Sequence, residues 1–453
     1  MNSTRTRMYD PLISLQNSSA QSGGRIMIEN LTGKNQLMKY GIWLYFFLLI
    51  FEGALRKWIL PGLSTPLLIV RDPVALWLIL MALKKGLLPS NIYLNCMLVI
   101  GLIGIFIAIF LDHGDLAVAL YGARILIIHF PLIFIIGNIF NRDDVERLGR
   151  VLVFISIPMV LLIATQFYSP QSAWVNRGLG GDLAGAGFSG ALGFYRPPGT
   201  FSFTNGNALF FAFVASYVIY FWLNPKRMNR VVLTIATIGL IAAIPLSISR
   251  SLFFSVLISL GFAMIATLRK PQFIGHVVLI AGIGFIGLGL LKETNFFTTS
   301  THAFTTRFEN ANKAEGGISG VLGTRYIGGM SSALKKSSKI PFFGYGLGMG
   351  TNAGAMLLTG NKGFLFSEEE WGRVIGELGP VMGISVILIR LSLVAKLALF
   401  AIRKLNNGDL LPWMLLSFAV VVIPEGQWAQ PTSLGFSTLI GGLIIASLRR
   451  QRI

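Results

Sequence analysis

Long apolar runs recur from residue 38 to residue 448, broken by short polar stretches. Twelve are readable, near 38–55, 64–83, 92–111, 117–138, 149–167, 204–222, 231–247, 251–267, 273–291, 378–402, 410–424 and 431–448. Most approach the roughly 20 residues an α-helix needs to cross a bilayer core. The eleventh is short, and only "SISRS" separates the seventh from the eighth. Lipid-exposed backbone must satisfy its own hydrogen bonds, and the alternation of a transmembrane barrel is absent. The pattern predicts an all-α polytopic membrane protein with about twelve transmembrane helices.

Two breaks are long. Residues 168–203 include the glycine-rich "NRGLGGDLAGAGFSGALGFYRPPGT", and residues 292–377 carry helical stretches of their own. Loops beyond about 15 residues are usually functional or disordered. The chain therefore divides into a flexible polar tail at 1–36, nine helices over 37–291, a large loop at 292–377, and three helices with a basic C-terminus at 378–453. The tail has no signal-peptide core, so the first span is expected to act as an uncleaved signal. No internal repeat is visible, which disfavours inverted-repeat transporter folds.

Composition agrees: mean hydropathy is +0.68, with 53% hydrophobic and 13% charged residues, which excludes a soluble domain. A net charge of +19 raises nucleic acid as a partner, but its distribution answers otherwise. With the N-terminus inside, twenty Lys and Arg fall on the cytoplasmic side, at 5, 7, 25, 34, 39, 84, 85, 142, 147, 150, 226, 227, 230, 269, 270, 403, 404, 449, 450 and 452. The short outer loops and the 168–203 loop hold five: Arg56, Lys57, Arg177, Arg196 and Arg250. That bias places both termini in the cytoplasm and both long loops outside, with the excess charge facing anionic lipid. No basic soluble module exists to hold nucleic acid. The single cysteine, Cys96, forms no internal disulfide.

Ionisable groups within or beside the spans are the candidates for function. Arg196 stands where the glycine-rich loop meets the sixth span, framed by Pro197 and Pro198. It reads either as an interfacial anchor or as an anion ligand. "GTFSFTNGN" follows, offering the Thr200 hydroxyl, the Asn205 amide and N–H groups at a helix N-terminus. Arg250 lies in the turn "PLSISRSLFF" beside Ser249. Arg325 lies on an amphipathic stretch that ends at Pro341. If the bundle converges these arginines, they form a cationic pocket suited to phosphate oxygens. "PFFGYGLG", with Tyr345, would let backbone approach a ligand closely. In "FSEEEWGRVIGELG", Glu370, Arg373 and Glu377 share one helix face. They read as a salt-bridged stripe, or one of Glu368, Glu369 and Glu370 is a general base. Arg71 and Asp72 are expected to join a network with another helix, and Arg124 and His129 either line a cavity or satisfy buried carbonyls. Arg390 and Lys396 are expected to snorkel. Walker A, zinc-protease and serine-elbow motifs are absent, and four scattered histidines disfavour a transition-metal site.

Taken together, "RPPGTFSFTNGNA", "LSISRSLFF", and "TRYIGGMSSALKKSSKIPFFGYGLG" followed by "EEEWGRVIGELGPVMG" resemble, in order and spacing, the bacterial O-antigen ligase and O-antigen polymerase superfamily. The likeness covers roughly residues 190–390. It implies a GT-C-like membrane glycosyltransferase in a bacterial inner membrane. Such an enzyme takes glycan from an undecaprenyl-diphosphate carrier to a glycan or lipid acceptor, with no metal or other cofactor. On that resemblance Arg196 and Arg250 are catalytic, gripping the departing diphosphate. Arg325, Thr200, Asn205, Ser249, Tyr345 and Arg373 then contact substrate. Ligases of the superfamily carry histidine nine residues before the glutamate that matches Glu377. This chain has Glu368 there, which favours a polymerase and makes Glu368 the candidate base. A transporter or flippase for a lipid-linked glycan or anionic solute is the alternative, and a non-catalytic scaffold a third. A transporter should hold its charges near the midplane between short loops.

Overall fold

The computed structural model describes residues 35–275, 282, 286, 289, 291–315, 329–337, 340–360, 365, 367 and 369–449. Among them nine helices are long and apolar enough to cross a membrane. These are α1 (Asn35–Ile59), α2 (Pro66–Lys84), α3 (Ile92–Phe110), α4 (Leu116–Ile139), α5 (Arg142–Tyr168), α6 (Thr204–Leu223), α8 (Arg250–Arg269), α12 (Glu370–Asn406) and α14 (Pro431–Leu448). Two shorter apolar helices, α7 (Arg230–Leu246) and α13 (Leu411–Glu425), complete the bundle. Eleven of the twelve apolar runs coincide with these helices. The twelfth, at 273–291, lies largely outside the described residues, as does the tail at 1–34.

Polar caps explain several helix starts. Asn141 and Asp144 form a reciprocal capping box on α5, and Asn91, Asp115 and Asn229 cap α3, α4 and α7. α6 is apolar on all sides and 94% buried, which makes it the axis of the bundle. Around it pack α5, α7, α8, α13 and α14. Lipid gives helices no hydrophobic reason to associate, so close approach at small residues matters. Gly441 and Gly442 of α14 sit on Ile133 and Ile136 of α4, and Gly137 of α4 receives Ile445 in return.

Two helices contain a π-helical turn. In α4 it spans Ile125–His129, just before Pro131. Proline lacks an N–H and crowds the carbonyl four residues back, and a widened turn relieves both conflicts. The other, Leu55–Ile59, ends α1 before Pro61. It holds Arg56 and Lys57 inside the fold, at 6% and 1% exposure, where an outer loop was expected.

At the expected boundary between the large loop and the tenth span the helix changes direction. α12 is broken at Gly379, whose φ of 77° and ψ of 171° reverse the chain before Pro380. Residues 370–378 fold back along 380–390, with Gly383 against the backbone of Val374 and Ile375. Residues 370–378 thus form a buried helix that folds back on the next one, called the re-entrant helix below.

The long connections are not wholly helical. A small hairpin, β1 (Phe188–Ala191) and β2 (Phe194–Arg196), stands before α6. Leu192 and Gly193 form its turn, both at positive φ, as two-residue hairpins of this hand require. The later connection holds α9 (Asn295–Glu315), α10 (Gly329–Lys336) and α11 (Asn352–Thr359). α9 packs on β1 and α7, α10 on α12, and α11 on α4.

Candidate functional site: the charged end of the bundle

The hairpin leads straight into "RPPGT". Arg196 ends β2 opposite Phe188 and is half-buried. After Pro197 and Pro198 the chain turns at Gly199, whose φ is 61°. Both polar groups of Gly199 are gripped. The Gln166 amide accepts from its N–H at 2.7 Å and donates to its carbonyl at 3.2 Å, and the Lys57 ammonium donates to the same carbonyl at 2.7 Å. The Thr200 hydroxyl donates to the Ile50 carbonyl at 2.6 Å, and Arg56 donates to the Ser202 hydroxyl at 2.9 Å. Asn207 donates to the Pro197 carbonyl at 3.2 Å. Gly53 of α1 lies flat against the Phe201–Ser202 backbone. The prolines and the polar string therefore serve first to bolt this segment onto α1. Thr200 is buried in that task, while Asn205 is half-buried on the first turn of α6.

Ser249 caps α8, accepting from the Leu252 N–H at 3.4 Å and bonding the Ser251 hydroxyl at 2.9 Å. Arg250 follows as the first helical residue, half-buried. Ile248 adopts a φ of 46°, a costly conformation for a β-branched side chain and one that marks functional turns. Its side chain rests on Gly190 of β1. From α9, Arg307 donates to the Ser189 carbonyl at 2.9 Å. The hairpin thus brings the neighbourhoods of Arg196, Arg250 and Arg307 together. Arg307 was not singled out in the sequence. Arg325 and Glu368 lie outside the described residues.

Across the same end, the re-entrant helix carries a closed ionic system. Arg373 donates to both oxygens of Glu370, at 3.0 and 2.8 Å, and to Glu377 at 2.5 Å. Arg390, on the antiparallel half of α12, donates to Glu370 at 2.8 Å and stacks over the Trp428 ring at 3.8 Å. Arg390 is 1% exposed, so the expectation that it snorkels is corrected; the fold-back supplies a carboxylate partner that spacing along one straight helix would not reveal. Lys396 is exposed beside Tyr93. Arg373, expected on substrate, is engaged with two carboxylates. Of the three carboxylates considered for the base, Glu370 is buried in this system and Glu369 is exposed.

The glycine turn "GYGLG" joins the re-entrant corner to α4. Gly344, Gly346 and Gly348 all have positive φ. Gly344 meets the backbone of Glu377 and Gly379, and Gly348 meets that of Val118 and Gly122. The Tyr345 N–H donates to the Gly376 carbonyl at 2.7 Å, and the Gly350 N–H donates to Glu377 at 3.0 Å. Tyr345 itself is half-buried. Between these parts lies a cavity of about 10 Å³, room for one water, lined by Gly122, Leu347, Arg373, Glu377 and Arg390.

Between the two halves stand Glu52, Arg56, Arg71, Asp72, Arg124 and His129. Asp72 receives Arg124 at 2.9 Å and contacts His129 Nε2 at 2.9 Å, and His129 Nδ1 meets the Tyr45 hydroxyl at 3.0 Å. Glu52 receives Arg56 at 3.1 Å and Arg71 at 3.6 Å. Arg71 also donates to the Pro431 carbonyl at the start of α14. The expected network around Arg71 and Asp72 is therefore present, joining α1, α2, α4 and α14. Glu52 and its pairing with Arg56, a residue expected in an outer loop, went unnoticed, although their spacing of four in "EGALR" at the end of an apolar run was the readable signal. Among the described residues no three His, Cys, Asp or Glu side chains form a set that could hold a metal ion. Comparison of the chain with protein-family models, with curated proteins and with solved structures finds no match in any of the three.

Proposed function

We propose that the chain is a membrane glycosyltransferase that extends or ligates a lipid-diphosphate-linked glycan at the outer face of a bacterial inner membrane, polymerase-like in type. The observation that supports this reading most is the crowding of cationic side chains onto the end of the bundle that also bears the hairpin, the glycine turn and the re-entrant helix. On this reading Arg196 and Arg250 hold the donor diphosphate. An acceptor hydroxyl attacks the anomeric carbon, and the glycosyl–oxygen bond breaks with its electron pair passing to the diphosphate. A carboxylate, Glu368 first among the candidates, takes the hydroxyl proton. Preorganised charge facing the leaving group is usually the largest catalytic contribution, and a bolted segment such as 196–202 supplies preorganisation.

A transporter is the second reading, favoured by the Asp72–His129–Arg124 group within α2 and α4. Reconstitution of the purified chain into liposomes with a polyprenyl-diphosphate oligosaccharide separates the two. Lengthened or transferred glycan is the expected result, absent in Arg196→Ala and Arg250→Ala at normal protein levels. Lysine should restore little, since a bidentate fork is lost. Translocated but chemically unchanged substrate would exclude the enzyme reading.

A further inference from the structure

The two buried ionic systems differ in their charge balance. Around the re-entrant helix, two guanidiniums meet two carboxylates, Arg373 and Arg390 with Glu370 and Glu377, so its charges balance although Arg390 Nε and Nη2 find no hydrogen-bond partner among the described residues. The other holds three guanidiniums, Arg56, Arg71 and Arg124, paired among the described residues with two carboxylates, Glu52 and Asp72. Each arginine there is more than nine-tenths buried. An uncompensated buried cation is costly, and a net excess calls for an anion.

The same residues leave donors unused. Arg71 Nε and Nη1 and Arg124 Nη2 are buried and have no hydrogen-bond partner among the described residues. A buried guanidinium N–H without an acceptor forfeits a charged hydrogen bond. Tyr121 carries the Arg124 guanidinium on its ring face at 4.1 Å and lies in electrostatic reach of Asp72, Glu52 and Arg56. It is half-buried, and the Asp72 side chain is 15% exposed, so the cluster meets the surface at these two residues. Both π-helical turns border it: Arg56 sits in one, and the other starts after Arg124 and ends at His129. Such turns concentrate at functional sites.

We propose that Arg56, Arg71 and Arg124 form an oxyanion site of the phosphate class, entered beside Tyr121 and Asp72. Asp72 is neutralised by Arg124 Nη1 and bound by His129, so it fixes the Arg124 fork and leaves Nη2 for the ligand. Guanidinium forks match phosphoryl oxygens in geometry and stay charged. The site uses other residues than Arg196 and Arg250, although Arg56 also bonds Ser202 of the segment that follows Arg196, and it stands whether or not the chain transfers glycan. A free phosphate and a lipid-borne diphosphate share the required chemistry.

The test is thermal unfolding of the purified full chain in detergent, with inorganic phosphate, pyrophosphate or a short polyprenyl diphosphate, against acetate and chloride at equal ionic strength. The expected result is stabilisation by at least one phosphate probe and by neither control. Pyrophosphate acting alone identifies a free anion, and the polyprenyl diphosphate acting alone a lipid headgroup. Arg124→Gln should weaken the response about tenfold or more, whereas the exposed Lys226→Gln should not. No stabilisation above acetate, or equal losses in both variants, overturns the proposal. If Arg124→Gln fails to fold, Tyr121→Trp provides a reporter at the mouth. Emission that shifts with pyrophosphate at the same concentrations supports the site, and emission indifferent to all three probes overturns it.

Discussion

Glu370 shows how a single side chain can hold two halves of a helix together. It accepts from Arg373 within its own helix and from Arg390 across the fold-back, and is itself buried. Breaking such a pair strands the opposite charge, at a cost of about 3–5 kcal/mol. Glu370→Gln should therefore lower stability by that amount in detergent unfolding, and Arg390→Met should do the same. Lys396→Ala, at an exposed position, should stay within about 0.5 kcal/mol. Equal effects of all three would mean that the buried pair contributes no more than a surface charge. The spacing of Glu370, Arg373 and Glu377 was legible in sequence because helix geometry puts them on one face. Arg390 was not, because its partner arrives only through a chain reversal. Likewise "RPPGT" declared a framed segment, but the residues that grip it at Gly199, Lys57 and Gln166, come from distant helices.

At the level of elements, the apolar runs marked the helices within a few residues, since bilayer thickness imposes length and hydrophobicity on each. What the runs hid were the irregular joints. Gly379 depends on one dihedral that only glycine adopts readily, and a Cβ there would run into the Phe342 carbonyl. Gly379→Ala should cost about 1–3 kcal/mol in backbone strain and loosen the contact between the glycine turn and residues 370–378. The readout is a lowered unfolding midpoint and, on the proposed activity, lost glycan product. Gly62→Ala, which faces open space at ordinary φ, should change neither. A Gly379→Ala chain that melts and works like the parent would show that the corner tolerates another geometry. Gly53→Ala is expected to act likewise from the other side, since its methyl would displace the Phe201–Ser202 backbone and with it the segment that positions Arg196.

Taken whole, the molecule treats its two ends differently. One end internalises its charge, with Arg56, Lys57, Arg71, Arg124, Arg373 and Arg390 all buried. The opposite end ties helices together through Arg142 with Asp409 and Lys39 with Asp144, and leaves Lys84, Lys226, Arg227, Arg269 and Arg403 exposed. An anionic cytoplasmic leaflet attracts exposed Lys and Arg, so the second end should face the cytoplasm. Ser189, on the hairpin, and Asn407, after α12, are exposed at opposite ends. With Cys96→Ala as background, Ser189→Cys should react with a membrane-impermeant maleimide in intact spheroplasts. Asn407→Cys should react only once the membrane is opened. A reversed pattern would put the charged cluster on the cytoplasmic side and remove it from any outer-face glycan chemistry. Labelling of both from one side would mean that the helices between them do not cross the membrane as an up-and-down bundle must.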